Sequence, residues 1–114
     1  MIEVTLRQYL GEHLDVPVWL EEPETPPASY VLIERTGSQE TDCIETTTFA
    51  VQSYGASLFD AASLNMDVKA LIKQAVELDT VSAVYINSDY NFTDTETKRY
   101  RYQCVAVVTH YERT

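Results

Sequence analysis

Residues 49–78 read FAVQSYGASLFDAASLNMDVKALIKQAVEL, and this stretch decides the fold because it joins a β-strand to an amphipathic helix. The segment Ile44–Tyr54 is rich in threonine, aromatic and β-branched residues, which favour an extended backbone. Ser57, with Asp60 three residues later, is typical of a capped helix start. From there the apolar residues keep helical spacing as far as Leu78. The stretch predicts a strand followed by a helix that packs one apolar stripe against a sheet.

A second strand precedes this stretch and predicts a hairpin. Residues Tyr30–Arg35 read YVLIER, and Gly37 and a polar segment through Asp42 follow them. This order is typical of two antiparallel strands joined by a turn, because a polar segment with glycine separates two runs of strand composition. We expect a long two-stranded arm between Tyr30 and Tyr54.

The N-terminal quarter predicts shorter elements. Apolar residues in Ile2–Leu14 fall close to helical spacing, which predicts a short amphipathic helix. The segment Asp15–Leu20 predicts a turn into a short edge strand, because Pro17 cannot donate a hydrogen bond within a central strand. Charge repulsion and fixed proline φ angles predict that Glu21–Pro27 is an extended, exposed connection.

Two further strands follow the helix and complete the predicted fold. Val81–Asn87 and Thr97–Tyr111 have strand composition and are separated by the polar segment Ser88–Glu96, so we expect them to pair antiparallel. The pattern predicts the α+β class, with an antiparallel sheet of about four strands and two helices packed on one face. The element order is αβββαββ or αββαββ. The length of 114 residues predicts a single domain over residues 1–114.

The chain is strongly acidic, with 18 Asp and Glu residues against 8 Lys and Arg residues and a formal net charge of −10. Such a field repels phosphate backbones and anionic membranes, which argues against a nucleic-acid reader. The acids concentrate between Glu12 and Glu45. The bases gather later, at Lys98, Arg99, Arg101 and Arg113. This separation of charges suits self-assembly, in which an acidic patch on one subunit contacts a basic strand on the next. The alternative is that the acidic residues form a solvated face that keeps the protein in solution.

Features of secretion are missing from the sequence. Residues Met1–Arg7 lack the continuous apolar core of a signal peptide. No window approaches the roughly 18 apolar residues that span a bilayer. Cys43 and Cys104 are the only cysteines, so no disulfide framework is indicated. We therefore expect an intracellular protein with reduced thiols and no membrane contact.

No pattern in the sequence predicts catalysis. His13 and His110 are the only histidines, and neither belongs to a nucleophile motif. Cys43 and Cys104 fall in different predicted elements, so a zinc site is not indicated. The segment Asn87–Glu96 alternates oxygen ligands but lacks the glycine and the final glutamate of a calcium loop, and a connection with Asx turns fits better. We predict no enzymatic activity, no metal and no cofactor.

The segment Lys98-Arg99-Tyr100-Arg101-Tyr102 interleaves bases with aromatic residues. Strand alternation puts the two tyrosines on one side and the two arginines on the other, so a continuous base-stacking surface with adjacent cations is not implied. Contact with a neighbouring subunit or partner, contact with nucleic acid and a solvated strand face remain open. We expect Arg99 and Arg101 to form charge pairs across an interface.

The order of several short segments after the N-terminal amphipathic helix is similar to that of a known protein family. These segments are Val16-Pro17-Val18, Glu21–Pro27, Tyr30–Gly37, Val51–Tyr54, Asn87–Asp94 and Arg99–Gln103. In this order, and most specifically in the last two segments, the chain resembles small tail proteins of long-tailed bacteriophages and prophages, which are labelled minor capsid or minor tail proteins. The likeness covers nearly the whole chain.

The resemblance implies a tail-terminator or tail-completion protein, a small α+β subunit that forms a ring, commonly a hexamer, on the head-proximal end of the tail tube. One side of the ring would contact the tail-tube protein and the other the head-completion protein, while DNA passes through the lumen without specific binding. It also implies assembly in the bacterial host cytoplasm and a place in the virion tail or neck. Such a role needs no catalysis.

Residues of two segments are the expected interface in this interpretation. They are Lys98, Arg99, Tyr100, Arg101 and Tyr102, together with Glu22 and Glu24 of the acidic loop. Reversing Arg99 and Arg101 to glutamate is expected to abolish ring or tail attachment and to leave the fold intact. Two alternatives stay open: a head-side connector of the head-completion type, and a small acidic inhibitor of a basic host protein.

Overall fold

A computed structural model describes residues 1–111, so Arg113 lies outside the described residues. Within that range the elements follow the order αβββαββ, one of the two predicted orders. They are α1 (Ile2–His13), β1 (Val18–Trp19), β2 (Tyr30–Thr41), β3 (Ile44–Gly55), α2 (Leu58–Gln74), β4 (Val81–Asn91) and β5 (Tyr100–His110). A 3-10 turn, Ala75–Glu77, continues α2. No helix among the described residues is long and apolar enough to cross a membrane.

The five strands form one mixed sheet in the order β1-β2-β3-β5-β4. The α+β class is confirmed. The prediction of an antiparallel sheet of about four strands is wrong, because the sheet has five strands and one pair of them is parallel. β1 lies parallel to β2, with Val18 opposite Val31. The N–H of Val31 donates to the carbonyl of Pro17 at 2.9 Å. The loop from residue 20 to residue 29 carries the chain back to the start of β1, so the two strands run in the same direction.

The predicted hairpin forms, and its first strand is longer than expected. β2 continues past Arg35 to Thr41 through a register shift between Arg35 and Gly37. Hydroxyl pairing extends the ladder, since the Oγ of Ser38 lies 2.9 Å from the Oγ1 of Thr47. The strands are joined at Asp42 and Cys43, whose φ angles of 52° and 67° are those of a tight hairpin turn.

The second antiparallel pair also forms, with β4 extending further than predicted. β4 pairs with β5 from Val81 to Asn91, and a register shift lies between Ile86 and Ser88. The polar residues 88–91 therefore belong to the strand rather than to the connection, which comprises residues 92–99. Pairing with β5 satisfies the backbone groups that face that strand, and the composition of residues 88–91 does not reveal this pairing.

One face of the sheet packs against both helices and forms the core. Predicted helix capping is confirmed, because the N–H of Asp60 donates to the Oγ of Ser57 at 3.1 Å. The buried layer includes Leu6, Leu10, Val31, Ile33, Phe49, Val51, Val68, Ile72, Cys104, Ala106 and Val108. The sheet residues of this set alternate along their strands, so the residues between them face the other side. That second face carries the candidate functional site.

Candidate functional site

A row of aromatic and arginine side chains crosses the sheet face opposite the helices. We call this set the open-face stripe, and it comprises Trp19, Tyr30, Tyr54, Phe92, Arg99 and Arg101. The strand order places its members side by side, because Tyr30 lies opposite Tyr54 and Tyr54 lies opposite Arg101. The stripe therefore combines residues from four strands and from the β4–β5 connection.

The rings and guanidinium groups of the stripe stack on one another. The rings of Trp19 and Tyr30 have centroids 5.5 Å apart. Tyr30 and Tyr54 are 4.3 Å apart and nearly parallel, with an interplanar angle of 8°. The guanidinium of Arg101 lies 5.7 Å from the Tyr54 centroid and 4.5 Å from that of Phe92. Cation–π contacts of this kind favour a fixed arginine position, so the stripe is preorganised.

Arg99 is held by a carboxylate of its own chain. Its guanidinium lies 2.5 Å from Glu22 and also donates to the hydroxyl of Tyr30, which in turn donates to Glu22. The hydrogen bonds from Tyr30 and Arg99 lower the pKa of Glu22. Burial and the hydrogen bond to Glu22 raise the pKa of Tyr30, which keeps its hydroxyl a donor. The Glu21–Pro27 loop is thereby tied to the end of the sheet.

Arg101 also has partners within the chain. Its Nη1 donates to the Tyr54 hydroxyl at 2.9 Å, and its Nε donates to the carbonyl of Phe92 at 2.7 Å. Reversing Arg99 and Arg101 together would set a glutamate beside Glu22 and remove the donor to Tyr54. The expected contact of these arginines with another subunit stays a prediction, but the double reversal would disturb the fold as well as any interface.

A chain of buried polar groups continues from the stripe along the same face of the sheet. The Tyr54 hydroxyl donates to Oε1 of Gln52 at 2.9 Å, and Nε2 of Gln52 donates to Oε1 of Gln103 at 2.9 Å. Nε2 of Gln103 then donates to the hydroxyl of Tyr90 at 2.5 Å. Both glutamines are buried. A connected network of buried hydrogen bonds specifies one arrangement of its members, because an unpaired group there is costly.

The alternation predicted for β5 places the tyrosines away from the stripe. Tyr100 and Tyr102 share a side with Cys104, which belongs to the core, and both are half-buried. Glu24 is exposed in the acidic loop. Lys98 is exposed at a φ of 56° and makes no ion pair with the other residues in 1–111. The structure brings Glu22 and Arg99 together but not Glu24.

Sequence reasoning missed the aromatic neighbours of the arginines. Tyr30, Tyr54 and Phe92 come from other elements, so local alternation around Arg99 and Arg101 does not reveal them. One signal was present, since Tyr30 and Tyr54 end the two strands of a predicted hairpin. The rings of Tyr30 and Tyr54 are almost fully buried. They are therefore closed to stacking by a nucleic-acid base.

The β4–β5 connection folds on Asx turns, as predicted from its composition. Oδ1 of Asn91 accepts from the N–H and from the hydroxyl of Thr93. Oδ1 of Asp94 accepts from the N–H groups of Glu96 and Thr97. These side-chain oxygens are therefore engaged with their own loop. Among residues 1–111, no group of three or more His, Cys, Asp or Glu residues could hold a metal ion.

A shallow cavity of about 230 Å³ lies at the same end of the sheet as the stripe. Its walls include Pro26, Pro27, Tyr54, Lys98, Arg99 and Tyr100. We call it the end cavity. Prolines and tyrosines give it apolar walls, and two cationic side chains line it as well. It suits an apolar side chain that is accompanied by carboxylates.

Replacing Glu22 by glutamine is expected to lower the free energy of unfolding slightly near neutral pH and to have no effect in acid. The pKa of Glu22 lies below its usual value of 4.5. Its carboxylate therefore stabilises the fold above that value and loses this contribution as the pH falls through the lowered pKa. The effect is small because the side chain is partly exposed.

Urea unfolding of wild type and of Glu22→Gln at about pH 7 and at successively lower pH values measures this difference. The matched control is Glu24→Gln, which alters an exposed carboxylate of the same loop. A loss for Glu22→Gln that does not shrink as the pH falls would contradict the assignment.

The accessible part of the open-face stripe has the composition of a protein contact site, because tryptophan and arginine are enriched where binding energy concentrates. Its geometry is rigid and its exposed rim is charged. The chain matches no protein-family model and no curated protein.

Proposed function

We propose that the protein is a structural virion-assembly subunit, a tail terminator of a long-tailed bacteriophage or prophage. It caps the head-proximal end of the tail tube as a ring and joins the tube to the head. The observation that carries the proposal is the sheet face away from both helices, where Trp19 and Arg101 stay partly exposed on either side of the buried pair Tyr30 and Tyr54. The likeness of its segments to small phage tail proteins supports the same role.

The proposed mechanism is stoichiometric binding. A ring that covers the last tube subunits stops further addition, and its other side receives the head-completion protein. Preorganised side chains favour such binding because little conformational freedom remains to be lost on contact. Arg101 meets this condition, because its hydrogen bond and its cation–π contact to the buried Tyr54 hold it in place.

The charge of the chain suits a ring that DNA traverses. A net charge of −10 disfavours lasting contact with phosphates. The proposed partners are further copies of the chain, in a ring that is commonly a hexamer in the proteins it resembles, the tail-tube protein and the head-completion protein. Assembly takes place in the host cytoplasm, and the finished ring lies in the virion neck.

Deletion of the gene from the phage or prophage that carries it tests the proposal. Electron microscopy of the lysates should show abnormally long tubes without heads, and a plasmid copy of the gene should restore normal particles. Tails of normal length beside DNA-filled heads would assign the protein to the head side of the joint instead. Intact particles would refute both assembly roles.

A further inference from the structure

The two ends of the molecule differ in shape. The chain measures 45 × 25 × 24 Å along its principal axes. β3 and β5 pair from Glu45 and His110 at one end to Gly55 and Tyr100 at the other. The hairpin turn therefore lies at one end and the end cavity at the other, about 33 Å apart for strands of this length.

The hairpin tip, residues 40–44, is acidic with one apolar side chain. Glu40 and Asp42 are exposed and form no ion pair within residues 1–111. Ile44 is 50% exposed. The turn at Asp42 and Cys43 is tight, with both φ angles positive, so these side chains project from a two-residue turn. The tip presents an isoleucine flanked by carboxylates.

The end cavity has the complementary chemistry. Pro26, Pro27 and the half-buried Tyr100 offer apolar surface, and Lys98 offers a cation without an ion-pair partner among the described residues. Arg99 adds a second cation, whose present partner Glu22 is itself partly exposed. Cations at such a rim attract carboxylates and set the orientation of a partner.

We propose that the hairpin tip of one copy docks in the end cavity of the next copy. Ile44 contacts the proline and tyrosine walls, and Glu40 and Asp42 lie beside Lys98. Charge selects this pairing, because two tips brought together would set carboxylates against carboxylates. The contact joins two different surfaces, so its repetition generates a ring when the rotation closes. This contact would close the ring of a tail terminator, so the inference rests on the proposed function.

Disulfide crosslinking through the native Cys43 tests the contact directly. Cys43 is exposed, whereas burial raises the pKa of Cys104 to about 12 and keeps its thiol unreactive. In Lys98→Cys the new thiol lies too far from Cys43 of the same chain to bond, since bridged Cα atoms lie roughly 4–7 Å apart. Mild oxidation of the concentrated protein should therefore give covalent dimers and higher oligomers.

Two control variants accompany the crosslinking. Gln8→Cys places a thiol at an exposed position of α1, outside the tip and the cavity. Lys98→Cys combined with Cys43→Ser removes the native partner. Both should give only the background of random collisions. A yield from Lys98→Cys no higher than that from Gln8→Cys would overturn the proposal, as would a chain that stays monomeric at the highest concentration reached.

A charge exchange provides an independent measurement. Glu40→Lys and Lys98→Glu should each weaken self-association by about tenfold or more, because each brings like charges together. Combining the two changes should restore most of the wild-type association. Sedimentation measures the self-association of each variant. Glu40→Lys leaves the hairpin sound, since Glu40 lies opposite Glu45 and the change removes a repulsion. Failure of the combined variant to recover would overturn the proposed contact.

The contact and the proposed function can fail separately. Crosslinking between copies together with intact phage after gene deletion would retain the contact and refute the terminator role. Over-long tubes after deletion together with background crosslinking would retain the role and refute this contact.

Discussion

Replacing Gly55 by alanine is expected to destabilise the fold by about 3 kcal/mol or more, or to prevent folding. A Cβ atom at this position would lie 2.4 Å from the backbone nitrogen of Ala61 and 2.8 Å from the carbonyl carbon of Asp60. Both are backbone atoms in the first turn of α2, so no side-chain rotation relieves the overlap. β3 and α2 would have to separate where the chain passes from one to the other.

Denaturant unfolding followed by the fluorescence of Trp19, the single tryptophan, measures this loss. The matched control is Gly37→Ala in β2, because a Cβ there meets nothing within 4 Å and its φ is not positive. We expect the control to stay within about 0.5 kcal/mol of wild type. Equal losses in both variants would show that strand propensity, rather than the close approach to α2, is responsible.

Around Gly55, the local sequence pattern predicts where the strand ends and the helix begins, but it does not predict how closely the two pack. The start of α2 after Ser57 follows from capping and spacing, and the end of β3 follows from composition. The distance between strand and helix does not, because it depends on how far the apolar stripe of α2 sinks onto the sheet. The close approach at Gly55 is a property of packing.

The direction of β1 relative to β2 cannot be predicted from local sequence either, because it also depends on tertiary structure. Pro17 correctly indicated an edge strand, since its lack of an N–H suits the sheet margin. Whether that strand runs parallel or antiparallel to β2 depends on the path of the loop between them. Residues 20–29 return the chain to the start of β1 through bends at residues 20–21, 24–25 and 28–29, and no periodicity describes such a path.

Part of the candidate site follows from the sequence. Arg99 and Arg101 form a basic cluster on an acidic chain, and Glu22 lies in an acidic loop of opposite charge. The sequence does not say whether opposite charges pair within a chain or between chains. The structure pairs Arg99 with Glu22 of the same chain. Lys98 is therefore the better residue for probing a contact between copies.

Replacing Tyr54 by alanine is expected to cost about 3–4 kcal/mol of stability, typical of a buried aromatic residue truncated to alanine. Its side chain is 4% exposed and stacks on Tyr30. Its hydroxyl donates to Gln52 and accepts from Arg101. Truncation would leave an opening in the open-face stripe and would unpair the buried amide oxygen of Gln52.

Two further variants divide this effect into its parts. Tyr54→Phe keeps the ring and removes the hydroxyl, so it should cost about 1–2 kcal/mol for the groups left unpaired. Tyr85→Ala is the matched truncation at a site on β4 that is 58% exposed, and it should cost far less. Chemical denaturation ranks the three. If Tyr54→Phe were as damaging as Tyr54→Ala, the hydrogen-bond network would account for the whole effect. If it were neutral, the network would contribute nothing, and stacking alone would keep Arg101 in place on the proposed contact surface.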